Sequence, residues 1–152
     1  MDTEKIKETI TRNAEEAARL HSRVHETLLQ RDGSEEKDAE YRNACAEFHA
    51  RYDALAFPEG YRGALQRIID GDPEAMESAI CFLELRPYFF RSGYMWKDIL
   101  RKCKHTPLLE SQRTRLEAVI KKREDWQAGH PKKYPEPNWI KRSFANKARS
   151  SK

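Results

Sequence analysis

The sequence predicts an all-α protein, and three observations support this class. Residues that lose little rotamer freedom in a helix (Ala, Leu, Glu, Lys, Arg and Gln) dominate, whereas glycine occurs only six times in 152 residues. Apolar residues recur every three or four positions along most of the chain. Short turn and capping sequences separate these stretches. We expect a long N-terminal antiparallel helical hairpin, two shorter helical hairpins and a basic C-terminal extension.

The N-terminal hairpin, residues 1–57, is predicted from two apolar stripes. The "RDGS" turn separates them, and Ser34 is placed to cap the second helix. Because this turn is short, the two stripes should face one another in an antiparallel pair. The first stripe lies within residues 4–30 and contains Ile6, Ile10, Ala17, Leu20, Val24 and Leu28. The second has the alternating spacing of a coiled-coil seam and contains Tyr41, Cys45, Phe48, Tyr52 and Leu55.

Residues 58–126 are divided into shorter helices by "DGDP", "RP" and "HTP". We expect Asp72 to cap a helix that begins at Pro73, and Arg86 to leave the helical conformation because a proline follows it. Thr106 is expected to cap a final helix that runs from about 107 to 126. Positions 33 or 34 residues apart form an internal repeat that pairs Gly60 with Gly93 and Asp72-Pro73 with Thr106-Pro107.

The stretch "IIDGDPEAMESAICFL", residues 68–83, resembles the junction of a HEAT-type repeat. There an Asp-Pro turn leads into a second helix that carries a small residue and then a leucine, here Ala79 and Leu83. The chain departs from this pattern at Glu77, where HEAT units often carry an arginine. The resemblance covers about residues 58–126 and implies stacked HEAT-like hairpins, which often serve as protein-binding surfaces. We therefore expect one helical domain over residues 1–126.

Charge is distributed unevenly along the chain. Residues 1–93 hold 13 Lys and Arg against 19 Asp and Glu (net −6), residues 94–126 hold 9 against 5 (net +4), and residues 127–152 hold 7 against 1 (net +6). This asymmetry indicates either an anionic partner at the C-terminal end or attraction between the two halves of the chain.

The cysteine content and the absence of long apolar runs predict a cytoplasmic protein without a membrane partner. The three cysteines have no Cys-x-x-Cys spacing, so neither a disulfide framework nor a structural zinc site is expected. No apolar run approaches the ~20 residues that cross a bilayer. The opening "MDTEKIKETI" has neither the basic start nor the apolar core of a secretory signal.

No motif in the sequence predicts an enzyme, a metal site or a cofactor. Glycine-rich phosphate-binding loops are absent from it. His21 and His25 lie one helical turn apart, a spacing that can hold a metal, and the hairpin would bring them towards Cys45. However, Ser22 occupies the position of the glutamate that a zinc protease uses as its base. Cys103 is expected to be a buried thiol rather than a nucleophile, because it shares the apolar face of its helix.

The stretch "FFRSGYMWKDILRKCKH", residues 89–105, mixes aromatic rings with cations. On a helix this mixture separates into two faces. Trp96, Ile99, Leu100 and Cys103 form the face that we expect to be buried. One or two of the rings at residues 88–90 should pack inward, and Arg91 is the cation best placed to stack on them or to bind an anion. The residues expected to contact a partner are Phe90, Arg91, Tyr94, Lys97, Arg101 and Lys104.

The segment from residue 127 to residue 152 contains three closely spaced prolines, which exclude a continuous helix. Two structural hypotheses compete with simple disorder. The tail could lie across the acidic N-terminal helices, or it could be a basic arm that orders on RNA, DNA or an acidic protein. Its candidate partner-binding residues are Lys132, Lys133, Trp139, Lys141 and Arg142.

The leading functional hypothesis is a non-enzymatic interaction module that binds another protein through helical faces and an aromatic-basic rim. Adaptors, inhibitors and toxin-neutralising immunity proteins are analogies by size and fold class. The basic pI argues against an immunity protein for a cationic nuclease. The alternative is a nucleic-acid or ribosome-associated protein that uses Lys97, Arg101, Lys104 and the tail.

Overall fold

The computed structural model describes residues 2–131, and helices are the only regular elements in this range. They are α1 (Thr3–Gln30), α2 (Glu35–Ala56), α3 (Ala64–Ile69), α4 (Pro73–Leu85), α5 (Ser92–Cys103) and α6 (Glu110–Gly129), with a 3₁₀ turn at Arg31–Gly33. The all-α class is therefore confirmed. By its contacts the chain divides into two compact units, residues 1–119 and residues 120–152. The predicted domain boundary after residue 126 stays a prediction.

The first two helices form the long antiparallel hairpin that the two stripes predict. At the start of α1, the Asp2 carboxylate accepts a hydrogen bond from the backbone N–H of Lys5 at 3.2 Å. The Ser34 hydroxyl oxygen accepts one from Lys37 at 3.1 Å, as expected for the cap of α2. Contacts at both ends of the pair show its direction, because Arg51 Nη1 lies 3.0 Å from Glu16 Oε1 while Arg31 stacks on Tyr41 near the turn.

The two predicted stripes are covered to different extents. On α1, the residues from Ile10 to Leu20 that face inward are buried, but Leu28 near the turn is exposed. The predicted seam of α2 is only half-buried, and the fully buried residues of that helix are Ala44 and Ala56. The reason is that α1 packs on both α2 and α4, whereas α2 packs mainly on α1. The aromatic rings on α2 are therefore only partly covered by α1, and other elements can contact them.

Helix α4 is the centre of the core. It begins as predicted, with the Asp72 carboxylate accepting from Glu74 N–H at 3.1 Å and Pro73 in the first turn. Every residue from Ala75 to Leu83 is buried, which is the pattern of a helix enclosed on all sides. α1, α3 and α5 pack around it. Arg86 ends the helix in the left-handed conformation, at φ 47°, so the expectation that it leaves the helix before Pro87 is confirmed.

One charged residue, Glu77, lies inside this core with only 6% of its surface exposed. Arg115 on α6 donates to both oxygens of its carboxylate, and Gln112 Nε2 donates at 3.3 Å. Thr3 on α1 donates through its hydroxyl at 3.2 Å. Burial alone would raise the pKa of Glu77, but these hydrogen bonds and the Arg115 charge hold that pKa below 4.5. The Glu77 carboxylate therefore stays ionised and links α1, α4 and α6.

Helix α6 begins later than the sequence predicts. Thr106 does not cap it, because the Thr106 hydroxyl donates to the carbonyl of Lys102 at 2.7 Å. The helix instead begins at Glu110, where the side chain of Gln112 accepts from the backbone N–H of Leu109 at 3.0 Å. This is the reciprocal half of a capping box. The end also differs, because α6 extends to Gly129 rather than 126.

The turn before α3 yields a prediction with its own control. Gly60 and Gly63 both have a positive φ, 87° and 80°. A Cβ at Gly60 would lie 2.7 Å from Asp53 Oδ2, whereas one at Gly63 would meet nothing within 4 Å. The Asp53 carboxylate cannot move freely, since it accepts from Arg62 N–H at 2.8 Å. Gly63→Ala should lower the free energy of unfolding by about 1 kcal/mol, and Gly60→Ala by about 2 kcal/mol or more.

Urea denaturation of both variants measures the difference between these two losses. The backbone cost is common to both glycines, so the excess at Gly60 reports the clash with Asp53. Equal losses would show that the Asp53 carboxylate is not held in place.

The Glu77 network yields a second prediction. Arg115→Met would leave a buried carboxylate without its cation and should cost about 3 kcal/mol of stability. Replacing both residues, as Glu77→Gln with Arg115→Met, should cost less than Arg115→Met alone because no buried charge remains unpaired. Arg42→Met, which removes an exposed pair with Asp38, is the surface control and should cost about 0.5 kcal/mol or less. A double variant as unstable as the single one would contradict this role.

Candidate functional site

The candidate partner-binding residues within the described range belong to one exposed region of the chain, the α4–α5 connection and α5 with its C-terminal cap. We call this region the aromatic-basic rim and define it as the six candidates Phe90, Arg91, Tyr94, Lys97, Arg101 and Lys104 together with Tyr88, which was not predicted as a partner contact. All seven are exposed: 92% of the Tyr88 surface, 74% of Tyr94 and 41% of Phe90. The other candidates lie outside the described residues: Lys132, Lys133, Trp139, Lys141 and Arg142.

The connection that carries the first rim residues is held in place by specific bonds. Phe89 is buried, with its ring 6.3 Å from that of Phe82 on α4. Its N–H donates to the Ser92 hydroxyl at 3.0 Å, and its carbonyl accepts from Ser92 N–H at 2.9 Å. On the other side, the Tyr52 hydroxyl of α2 donates to the Phe90 carbonyl at 2.6 Å. The rim is therefore attached both to the core and to the N-terminal hairpin.

Phe90 occupies the junction between the hairpin and the rim. Its ring stacks on that of His21 at 4.7 Å and meets the edge of Phe48 at 5.9 Å. The Arg91 guanidinium lies 5.3 Å from the centre of the same ring. The expectations that only some of the three rings pack inward and that Arg91 stacks on one of them are thus confirmed. Tyr88 is the ring that turns outward.

Helix α5 separates into the two faces that the sequence predicts. Trp96, Ile99, Leu100 and Cys103 are all buried, and the Trp96 indole N–H donates to the Leu83 carbonyl at 3.0 Å. The exposed rim residues lie on the other face, at spacings of three and four. The rim thus presents its cations from a helix whose opposite face is fixed in the core.

Positive charge on this part of the chain is largely uncompensated. Residues 86–105 contain six Lys and Arg but one acidic residue, Asp98. Asp98 pairs with Arg101 at 3.3 Å, and Lys97 and Lys104 form no ion pair with any described residue. The hairpin differs, since Glu16 binds both Arg19 and Arg51, and these partners lower its pKa to about 2. The rim therefore presents a net positive field to the solvent.

The cysteines of the core are not arranged as nucleophiles. Burial raises the pKa of the Cys103 thiol to about 12, and burial likewise raises the pKa of Cys81 although Arg115 lies 3.7 Å from its sulfur. The expectation that Cys103 is buried is confirmed.

The His21 ring lies against the face of α2 that carries Cys45 and Phe48. It contacts Phe48, one helical turn beyond Cys45, at 5.2 Å between ring centres, and its other neighbours are Phe90 and His25. Within residues 2–131, no three His, Cys, Asp or Glu side chains converge in an arrangement able to hold a metal ion.

A groove that the sequence did not indicate lies where the N-termini of α1 and α4 meet the turn before α3. Its volume is about 690 Å³, and its charged lining consists of Asp2, Lys5, Glu59, Arg67, Asp72 and Glu74. Three of these side chains stabilise the fold: Asp2 and Asp72 cap helices, and Arg67 donates to the Gly60 carbonyl at 2.9 Å. Only the packing of distant segments creates this groove, so no local motif could have revealed it.

Comparison with protein-family models, with curated proteins and with solved structures finds no match. The HEAT-like resemblance thus depends on the "DGDP" junction, where Asp72 and Pro73 open α4 as expected. Other positions of the internal repeat differ: Gly60 lies in a turn at φ 87°, whereas Gly93 lies within α5, and Thr106 does not cap α6. Across residues 2–131, no helix combines the length and apolarity required to cross a bilayer.

The His21 stack yields a prediction on pH. Burial first, and the nearby His25 second, lower the pKa of His21 below 6.5. An unfolded histidine titrates near ~6.5, so the unfolded state binds more protons between the two pKa values. The free energy of unfolding should therefore fall as the pH decreases from above ~6.5 through the lower pKa of the folded state.

Urea titrations near pH ~7.5 and pH ~5.5 measure this loss. His21→Phe keeps a ring in the stack and should reduce the loss, whereas the exposed-site control His49→Phe should retain it. An unchanged pH dependence in His21→Phe would exclude His21 as its source.

Proposed function

We propose that the protein is a non-enzymatic interaction module, of the adaptor, inhibitor or immunity type, that binds another protein through its aromatic-basic rim. The observation that supports this proposal is the exposure of Tyr88 and Tyr94 in a region where Lys97 and Lys104 form no ion pair with any described residue. Aromatic residues and arginine are enriched at protein interfaces and dominate their hot spots. The free thiols of all three cysteines suit a reducing cytoplasm.

The rigidity of the rim supports the same proposal. Association costs free energy when loops and long side chains must be ordered at the interface. Here the connection is held by Tyr52, Phe89 and Ser92 before any partner arrives, so less ordering remains. Tyrosine adds large contact area with few rotatable bonds. A partner would therefore meet a surface with much of its shape already formed.

A nucleic-acid or ribosome-associated role is the second candidate, and the same surface favours it. Exposed rings can stack on bases, and Lys97, Arg101 and Lys104 can neutralise phosphates. The salt dependence of binding distinguishes the two functions. Nucleic-acid affinity should fall about 40-fold between ~50 and ~200 mM salt if each of these three cations neutralises one phosphate of a duplex. A mixed apolar and ionic protein interface should be less sensitive to salt.

Affinity capture from cells tests the proposed function. The tagged full-length chain should retain a protein that survives nuclease treatment, and Tyr88→Ser with Tyr94→Ser should reduce its recovery about tenfold. Both tyrosines are exposed, so this variant should remain folded. Leu29→Ser, which removes an 87% exposed apolar side chain at the end of α1, is the matched control and should leave recovery unchanged.

Two results would reject the proposal. Recovery that the rim variant does not reduce would place the interaction elsewhere. Recovery that nuclease abolishes would favour the nucleic-acid role.

A further inference from the structure

The aromatic-basic rim is asymmetric along its length. Its rings precede its helical cations along the chain, since Tyr88 and Phe90 lie in the connection and Tyr94 lies in the first turn of α5. Its helical cations, Lys97, Arg101 and Lys104, follow towards the other end. At 1.5 Å per residue, Tyr94 and Lys104 are separated by about 15 Å along the helix. Two chemically different areas are therefore presented next to one another.

The aromatic end can bind apolar groups. Tyr88 and Tyr94 expose most of their surface, and Phe90 keeps part of its ring accessible although His21 and Phe48 cover the rest. Contact with an apolar side chain would remove this area from water and would be nearly independent of salt. The surroundings of Phe90 also fix its position, because the Tyr52 hydroxyl holds its carbonyl at 2.6 Å.

The cationic end of the rim can bind negatively charged groups. Lys97 and Lys104 form no ion pair with any described residue, and Arg101 has Asp98 as its carboxylate. Lysine and arginine side chains at spacings of three and four on one helix reach carboxylates over roughly two helical turns, about 10 Å. Such exposed pairs contribute mainly to the rate and selectivity of association and weaken as salt increases.

We propose, on the basis of the proposed function, that the partner presents a bipartite acidic segment. One apolar or aromatic side chain of this segment packs against Tyr88, Phe90 and Tyr94. Adjacent carboxylates of the same segment pair with Lys97, Arg101 and Lys104. A nucleic-acid strand fits this asymmetry less well, because its phosphates and bases repeat evenly and would not place apolar and anionic groups at separate ends.

Synthetic peptides test the proposal with the full-length chain. The first probe is a peptide with one phenylalanine beside a run of glutamates, the second replaces the phenylalanine with serine, and the third replaces the glutamates with glutamine. The first should bind about tenfold more tightly than either of the others at ~50 mM salt. A single-stranded RNA oligonucleotide serves as the competing probe.

Two rim variants assign each half of the peptide to its end of the rim. Tyr88→Ser with Tyr94→Ser should weaken the first peptide about tenfold and leave the serine peptide unaffected. Lys97→Gln with Arg101→Gln and Lys104→Gln should weaken both glutamate peptides but not the glutamine peptide. Only the effect of the cation variant should shrink as salt increases.

Each alternative outcome has a defined meaning. If the first and second peptides bind equally, the interaction is purely electrostatic and the bipartite proposal fails. If no peptide binds while the captured cellular protein still depends on the rim, the bipartite proposal fails and the proposed function stands. If the RNA binds more tightly than every peptide and its affinity falls steeply with salt, both proposals fail.

Discussion

The burial of α4 is the constraint on which the rest of the structure depends. A helix that is buried continuously from Ala75 to Leu83 must be surrounded, and α1, α3 and α5 each cover part of it. Its one acidic residue in the deepest part, Glu77, requires a cation, and Arg115 supplies it from α6. Burying an isolated carboxylate would be far less favourable than burying a hydrogen-bonded ion pair. The packing of the first turns of α6 on the core is therefore specified by one charge as well as by the buried Leu116.

The end of α4 also determines where the rim lies. Arg86 turns the chain into the left-handed conformation before Pro87, so the following residues leave the core as a short connection. Phe89 returns to the core while Tyr88 and Phe90 remain outside. Because α5 then packs through its Trp96 face, its opposite face is left with the cations. The grouping of rings and charge on one surface is thus a geometric result of how two buried helices are joined.

Much of this architecture could be predicted from sequence, because it depends on local patterns. The 3.6-residue periodicity located α1, α2 and both faces of α5, and the caps Ser34 and Asp72 behave as their residue types suggest. The prediction from local sequence was wrong where one side chain had two possible hydrogen-bond partners. Thr106 resembles a cap, yet its hydroxyl donates to the Lys102 carbonyl. At the start of α6 the backbone N–H of Leu109 donates to the Gln112 side chain instead.

The exposure of the candidate residues on α5 could be predicted from the sequence, but the contacts that hold the neighbouring connection could not. Helical spacing placed Tyr94, Lys97, Arg101 and Lys104 on one exposed face, and the structure agrees. Nothing local indicated that Tyr52, some forty residues earlier in the chain, bonds to the Phe90 carbonyl, or that His21 stacks beneath the same ring. The groove near Arg67 was missed for the same reason. Contacts between segments distant in sequence depend on packing angles that no single helix encodes.

The bond between the Tyr52 hydroxyl and the Phe90 carbonyl has an evolutionary consequence. The Tyr52 hydroxyl binds the backbone carbonyl of residue 90 and not its side chain. The ring at position 90 can therefore change while this hydrogen bond continues to hold the connection, provided that the hydroxyl on α2 is retained. Selection should accordingly hold position 52 to tyrosine more strictly than the rings that meet the solvent.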